Sequence, residues 1–144
     1  MFKKLLMLIV HSDRVLRIAY IPLAVVLLAI STINQAQNET SKKLYEICCL
    51  KRKAQNLSVQ KLDKELCQIA DKWAKYLADN NRFHHGGGEQ IIARGYSSPT
   101  AAINAWMNSQ GHRRWLLCNR THVGFGFAKS KNGHPYYVGV FRTK

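Results

Sequence analysis

Apolar residues recur at Leu62, Leu66, Ile69, Ala70, Trp73, Ala74 and Leu77, at steps of four, three, one, three, one and three. That spacing lines one face of a helix, with Asp63 or Ser58 able to cap its start and Asp79-Asn80-Asn81 closing it. It predicts a core helix of about 16 to 18 residues, roughly five turns at 3.6 residues each. A shorter helix is expected from Ser41 to about Gln55, where Leu44, Ile47, Cys48 and Leu50 are only loosely periodic. Ser98-Pro99 has the N-cap and first-turn pattern and opens a helix carrying Ala102, Ile103, Ala105 and Trp106, with Gly111 expected to close it.

Towards the end the period changes to two. Val123, Phe125 and Phe127 alternate with Gly124, Gly126 and Ala128, Asn132-Gly133 supplies a tight turn, and Tyr136 to Phe141 returns as the antiparallel partner. Glycines alternating along these strands predict that something packs closely on that face. Helices followed by a terminal hairpin make an α+β layered domain of about 100 residues. Between the helices, Arg82 to Gly95 holds three successive glycines, an irregular segment flanked by His84, His85 and Glu89.

The first 31 residues follow a different pattern. Lys3, Lys4, Arg14 and Arg17 surround a short apolar patch and precede the apolar run Ile18 to Ile30, which ends at a polar stretch. Thirteen such residues fit a secretory h-region, whereas a membrane span needs about 20. Residues 1–31 are therefore read as a signal peptide or an N-terminal membrane anchor, residues 32–43 as a linker, and residues 44–144 as the folded domain. The expected location is secreted or extracytoplasmic, with attachment to the membrane through the N-terminus if the segment is retained.

Charge narrows the partners less than its size implies. The 144 residues carry 22 Lys+Arg against 8 Asp+Glu, a net +14. Removing residues 1–31 takes away four basic residues and one acidic one, leaving 18 against 7, still +11. These charges lie in short groups such as Lys42-Lys43, Lys51-Arg52-Lys53 and Arg113-Arg114, without the aromatic interleaving of a single-strand binder or a helix-turn-helix or zinc-finger signature. The reading is a solvated basic surface and no nucleic acid. Cys48, Cys49, Cys67 and Cys118 permit up to two disulfides on an exported chain, joining Cys48 or Cys49 to Cys67 or Cys118, or are simply small buried residues.

Chemistry can sit where titratable side chains gather, and the candidates are His84, His85, Glu89 and His112, which as residue types serve both as metal ligands and as acid/base groups. Ser109, three residues before His112, can face it or satisfy backbone groups at a helix end. There is no H-E-x-x-H, no G-x-S-x-G and no C-x-x-C.

Taken in order, Asp63-x-x-Leu66 with Ala70-x-x-Trp73-Ala74, Phe83-His-His85, Gly88-Glu-Gln-Ile-Ile-Ala93-x-Gly95, Ala101-Ala-x-x-Ala-Trp106-Met-x-Ser109-x-Gly-His112-Arg113-x-x-Leu116 and Val123-Gly-Phe-Gly126 resemble the CAP superfamily. This is the SCP-like domain of cysteine-rich secretory proteins, antigen 5 and plant pathogenesis-related proteins, here in its compact bacterial form. The resemblance spans roughly residues 44 to 142 and implies a three-layer α-β-α sandwich with a C-terminal antiparallel hairpin. It also implies a central cleft with two His and one or two Glu, able in some members to hold a divalent metal such as zinc. His85 matches the first family histidine, with His84 the alternative, Glu89 the Glu of the Gly-Glu-Asn motif, and His112 the second histidine. Gln90 stands where the family has Asn, and Ser109 where animal and plant members have a second Glu.

The expected function is an exported, monomeric binding domain acting at or outside the cell surface, its polar cleft lined by His85, Glu89, His112, Ser109 and His84. Its ligand is unidentified, with lipid or a cell-envelope component as candidates. One alternative is a metal-assisted hydrolase in which His85 and His112 hold zinc and Glu89 activates water. The other is a basic domain that adheres to anionic envelope polymers or lipid.

Overall fold

The computed structural model describes residues 7–9 and 18–144. The basic flank of the N-terminal segment, Lys3, Lys4, Arg14 and Arg17, lies outside the described residues. The chain divides into two compact units, residues 1–36 and 37–144. In the first, β1 (Met7–Ile9) pairs antiparallel with β2 (Ile18–Tyr20), in the register Met7↔Tyr20 and Ile9↔Ile18.

Helix α1 (Leu23–Lys53) starts directly after Pro22 and is one continuous helix. Residues 32–43, expected to be a linker, are therefore helical. The reason is compositional: no Gly or Pro interrupts the chain from Leu23 to Lys53, and Gln35, Ala36, Gln37, Glu39, Lys42 and Lys43 all favour helix. Its first half exposes apolar side chains, Leu23 and Leu28 at 67% each. Among the described residues no helix is long and apolar enough to cross a membrane.

The second unit is an α+β sandwich around a four-stranded sheet of order β3-β5-β6-β4. Its strands are β3 (Lys61–Leu62), β4 (Gln90–Arg94), β5 (His122–Lys129) and β6 (Pro135–Arg142). The hairpin β5–β6 is antiparallel, with Val123↔Phe141 and Lys129↔Pro135 paired. It closes through a wider loop than a two-residue turn: Ser130 N–H donates to His134 O and Gly133 N–H to Ser130 O, both at 2.9 Å. Strand β4 continues the sheet beyond β6, and β3 adds a short parallel strand to β5. Residues 90–94, expected to belong to an irregular segment, are thus a strand, which suits the β-branched pair Ile91-Ile92.

Side-chain alternation divides the core between the two sheet faces. On one face Val123, Phe125, Phe127, Tyr137, Phe141, Ile91 and Ala93 pack with Leu44, Ile47 and Cys48 of α1 and with Trp106 and Leu116. Trp106 lies on α3 (Pro99–Asn108), which Ser98 caps by accepting from Ala101 N–H at 3.1 Å. The buried Trp106 Nε1 donates to Ile92 O at 3.0 Å and fastens α3 to the outer strand β4. Gly111 does not end this helix. Ser109, in extended conformation (φ −102°, ψ 117°), separates α3 from α4 (Gln110–Leu116), and Gly111 lies inside α4.

The opposite face carries α2 (Lys64–Asp79), whose Ala70, Ala74, Leu77 and Ala78 pack on Ile92, Ala128, Tyr136 and Val138. Of the two candidate caps, Asp63 is the one used, its Oδ1 accepting from Leu66 N–H at 3.0 Å. The buried stripe is narrower than the sequence pattern implied: Ile69 is 38% exposed, and Leu62 belongs to β3 and is exposed. The glycine signal has a direct cause. A Cβ on Gly124 would come within 2.2 Å of the Leu66 and Cys67 backbone, and one on Gly126 within 2.2 Å of Ala70 C.

Two sequence readings change with burial. Arg52, grouped with the basic surface, is 3% exposed; its Nε donates to Ser58 O at 2.8 Å and its Nη1 to Leu116 O and Cys118 O at 2.8 and 2.9 Å. It satisfies the last carbonyls of α4 and ties them to the end of α1. The four cysteines are free thiols in the structure. Burial pushes the Cys48 thiol up to about 12, with smaller contributions from Cys49 and Cys118 nearby.

Substituting Gly126→Ala is expected to cost about 3 kcal/mol or more, because helix backbone rather than a flexible side chain must move. Gly111→Ala, with open space around the added methyl, should stabilise by roughly 0.5–1 kcal/mol through helix propensity. Urea denaturation of both variants checks the pair; equal effects would contradict the close approach of α2 to β5.

Candidate functional site

The segment from Asn81 to Gln90 leaves α2 and enters β4, and it turns adjacent residues in different directions. His84 packs edge-on against Trp73 and Tyr76, at ring-centroid distances of 5.4 and 6.2 Å. His85 instead stacks on His112, 6.3 Å between centroids with 25° between planes. His112 is set by the break between α3 and α4. The Ser109 carbonyl accepts from His112 N–H at 3.1 Å and Arg113 N–H at 2.7 Å. The Ser109 side chain shares a 2.8 Å hydrogen bond with His112 Nδ1. The hydroxyl donates when Nδ1 is bare and accepts when Nδ1 carries the proton.

The structure thus brings His85, Ser109 and His112 together at one exposed to half-buried place. Glu89 is engaged elsewhere. Its carboxylate is salt-bridged to Arg120 Nη2, and Arg120 Nη1 also donates to Thr143 Oγ1 at 3.3 Å. The pair lines a cleft of about 480 Å³ whose walls include neither His85 nor His112. Arg120 gave no signal in the sequence, because it meets Glu89 only through the fold, 31 residues away along the chain.

The donor set does not fit a zinc site. A catalytic zinc takes three protein ligands and a structural one four, whereas the site offers two imidazoles, and Glu89 is held by a guanidinium. Among the described residues no group of three or more His, Cys, Asp or Glu could hold a metal ion. A serine hydroxyl beside an imidazole is part of the constellation of an activated nucleophile; among the described residues no side chain hydrogen-bonds the other His112 nitrogen to orient it. What the arrangement does offer is hydrogen bonding: one hydroxyl and two imidazoles, each with a donor and an acceptor when neutral. Desolvation first, and then the positive charge of His85, hold His112 below the usual imidazole range.

The profile of the Cysteine-rich secretory protein family (CAP) matches residues 50–141. Over 110 residues the chain is 31% identical to the uncharacterized YkwD protein of Bacillus subtilis, covering 62% of this chain and 42% of that protein. Among solved structures, an outer surface protein of Borrelia burgdorferi superposes with a TM-score of 0.65 at 24% identity, covering 72% of this chain and 92% of that one. An extracellular SCP-domain protein of Bacillus anthracis superposes with a TM-score of 0.67 at 24% identity, over 79% of this chain and 43% of that one. The chain therefore spans under half the length of the two Bacillus proteins, and the two solved structures share its fold.

In a proton NMR titration His112 should titrate below 6.5, and His85→Ala should raise its midpoint part of the way back, since desolvation remains. The unfolded chain binds the His112 proton more readily, so this group's contribution favours the folded state above about pH 6.5 and is lost as the pH falls towards the folded midpoint. An unshifted His112, or one indifferent to His85→Ala, would contradict the stacked geometry.

Proposed function

We propose that this chain, which belongs to the Cysteine-rich secretory protein family (CAP), is an exported binding domain that takes a polar ligand group at His85, Ser109 and His112. The observation that carries the reading is the stacked pair His85–His112 with Ser109 on Nδ1, a cluster that can hydrogen-bond a ligand yet lacks the ligand count for zinc and the orienting group for a nucleophile. With His112 held towards its neutral form, the site presents both donors and acceptors near neutral pH. Fold alone assigns no reaction, and binding is the chemistry these side chains support.

Export rests on separate features. Residues 1–31 combine four basic side chains with an apolar run too short for a comfortable span, and the first half of α1 exposes its apolar residues. Apolar side chains such as Leu23, Leu27 and Leu28 in water are what a segment meant for a translocation machinery or a membrane surface carries. The similar proteins described as outer surface and extracellular point the same way. The net +11 of the remainder suits an anionic envelope as surroundings.

The test has two arms. The full chain is expected in the extracytoplasmic or medium fraction of its own cells, and deletion of residues 1–31 should return it to the cytoplasm; a cytoplasmic full chain overturns export. Mass spectrometry of small molecules co-purifying with the full chain should show species depleted in the doubly substituted His85→Ala, His112→Ala variant. Identical content in the two preparations overturns binding at the histidines.

A further inference from the structure

We propose that the groove between α2 and the Gly86–Gln90 segment binds an extended acidic peptide, gripping one of its backbone amides through Trp73 Nε1 and Gln90 Oε1. The groove has a volume of about 420 Å³ and is walled by Ile69, Trp73, Tyr76, Gly87, Gln90 and Val140. It is a different place from the histidine site, whose side chains do not line it.

Among the described residues, two polar atoms in this wall have no partner. Gln90 is nine-tenths buried; its Nε2 donates to Gly87 O, but its Oε1 accepts nothing. The buried Trp73 Nε1–H donates to nothing. One is an acceptor and the other a donor, and they do not satisfy each other. Unpaired buried groups of this kind are rare in folded proteins, and each calls for a physical reason. A secondary amide supplies the complement of both, a carbonyl oxygen for Trp73 and an N–H for Gln90.

The surroundings favour a peptide over a sugar carrying the same amide. A pyranose would seek an open aromatic face, but the indole is already in face contact. Tyr76 stacks on it at 4.9 Å and 19°, and the Gly86 backbone lies so close that a Cβ there would come within 2.6 to 2.9 Å of three indole carbons. The N–H edge is buried as well, so a ligand reaches it only when the atoms covering it shift. Ile69 and Tyr76, each 38% exposed, together with Val140 give an apolar wall for a side chain next to the amide. Charge sets the sign of the rest. Among the described residues Lys72 sits on the groove without an ion pair, while in the adjoining cleft, which shares Ile69, Gly87, Gln90 and Val140, Arg120 is paired with Glu89 and Arg142 with Glu65. Among the lining side chains the charge left unpaired is therefore positive, that of Lys72.

Entry is compatible with the segment that forms the wall. Gly87 and Gly88 adopt φ of +100° and +74°, with nothing within 4 Å of an added Cβ. The space on the side-chain side of both residues is therefore open, and the bond from Gln90 Nε2 to Gly87 O is kept while the ligand amide takes the free Oε1.

The probe is the blocked peptide acetyl-Leu-Glu-Leu-amide, and the readout is the tryptophan indole region of a nitrogen-15 correlation spectrum. Three tryptophans give three indole signals, and Trp73→Phe identifies the one that matters. The acidic peptide should shift the Trp73 indole and Gln90 side-chain amide signals saturably, while the Trp106 signal, committed to Ile92 O, stays in place. Gln90→Leu should weaken binding about tenfold through loss of a hydrogen bond. Lys72→Glu, on an exposed side chain that the fold does not need, should weaken it about threefold at low salt. No shift at millimolar peptide overturns the proposal. So does equal binding of acetyl-Leu-Lys-Leu-amide, or a Trp73 shift produced as strongly by an N-acetylglucosamine trimer or a twelve-carbon fatty acid.

Discussion

The backbone of α2 lies directly on the backbone of β5 at Gly124 and Gly126, and much of the domain's arrangement depends on that approach. With side chains absent from the contact, helix backbone packs directly on strand backbone at Leu66, Cys67 and Ala70. Three links then become possible. Asp63 N–H donates to Val123 O at 2.9 Å, which closes the parallel strand β3. Asp71 reaches across to accept from Phe127 N–H at 3.2 Å, although burial pushes its carboxyl above the ordinary range. Trp73 is carried over the exit segment of the helix, where only the glycine at position 86 can pass beneath its ring. The direction in which residues 84–90 leave α2 is therefore a consequence of two glycines on a different strand.

That dependence explains which parts of the molecule could be read in advance. The core helix, the Ser98-Pro99 start and the terminal hairpin rest on neighbours three to four or two residues away, so periodicity and caps reveal them. The strand at 90–94, the burial of Arg52 and the Glu89–Arg120 pair do not. Each is decided by a partner far along the chain: Tyr137 opposite Ala93, Leu116 O on Arg52, and a guanidinium 31 residues beyond a carboxylate. Gly111 misled for a related reason. It has a helix-ending composition, yet Ser109 breaks the helix first and Gly111 begins the next turn. For the candidate site, the residue types were legible but their grouping was only partly so, because two adjacent histidines on an extended segment must face apart and only the fold decides which one meets His112.

The exit segment joins two chemically different surfaces. His85 points to the polar cluster with Ser109 and His112, whereas Gly86, Gly87 and Gln90 wall the groove on α2. His84, edge-on to both Trp73 and Tyr76, fixes the start of the segment by ring packing rather than by charge. A displacement at Gly87 or Gly88 would move His85 as well, since one residue separates it from the glycine pair.

Charge acts over a longer range than either surface. Of the seven acidic residues beyond position 31, Glu46, Asp63, Glu65, Asp79 and Glu89 sit in ion pairs with Lys or Arg. Lys144 alone takes up two of them, Asp63 and Glu65, which holds both carboxyls below and the ammonium above their ordinary ranges. Acidic groups are thereby consumed locally, and Arg52 is removed from the surface by burial, while most of the remaining basic side chains stay in water. The field around the domain is positive with few negative interruptions, so any anionic group that approaches would be attracted from about one Debye length, roughly 8 Å at physiological salt. Such a field would concentrate anionic groups near the domain without choosing among them, and on the proposed reading the choice would fall to the few uncharged donors and acceptors at the histidine cluster and at Trp73 and Gln90.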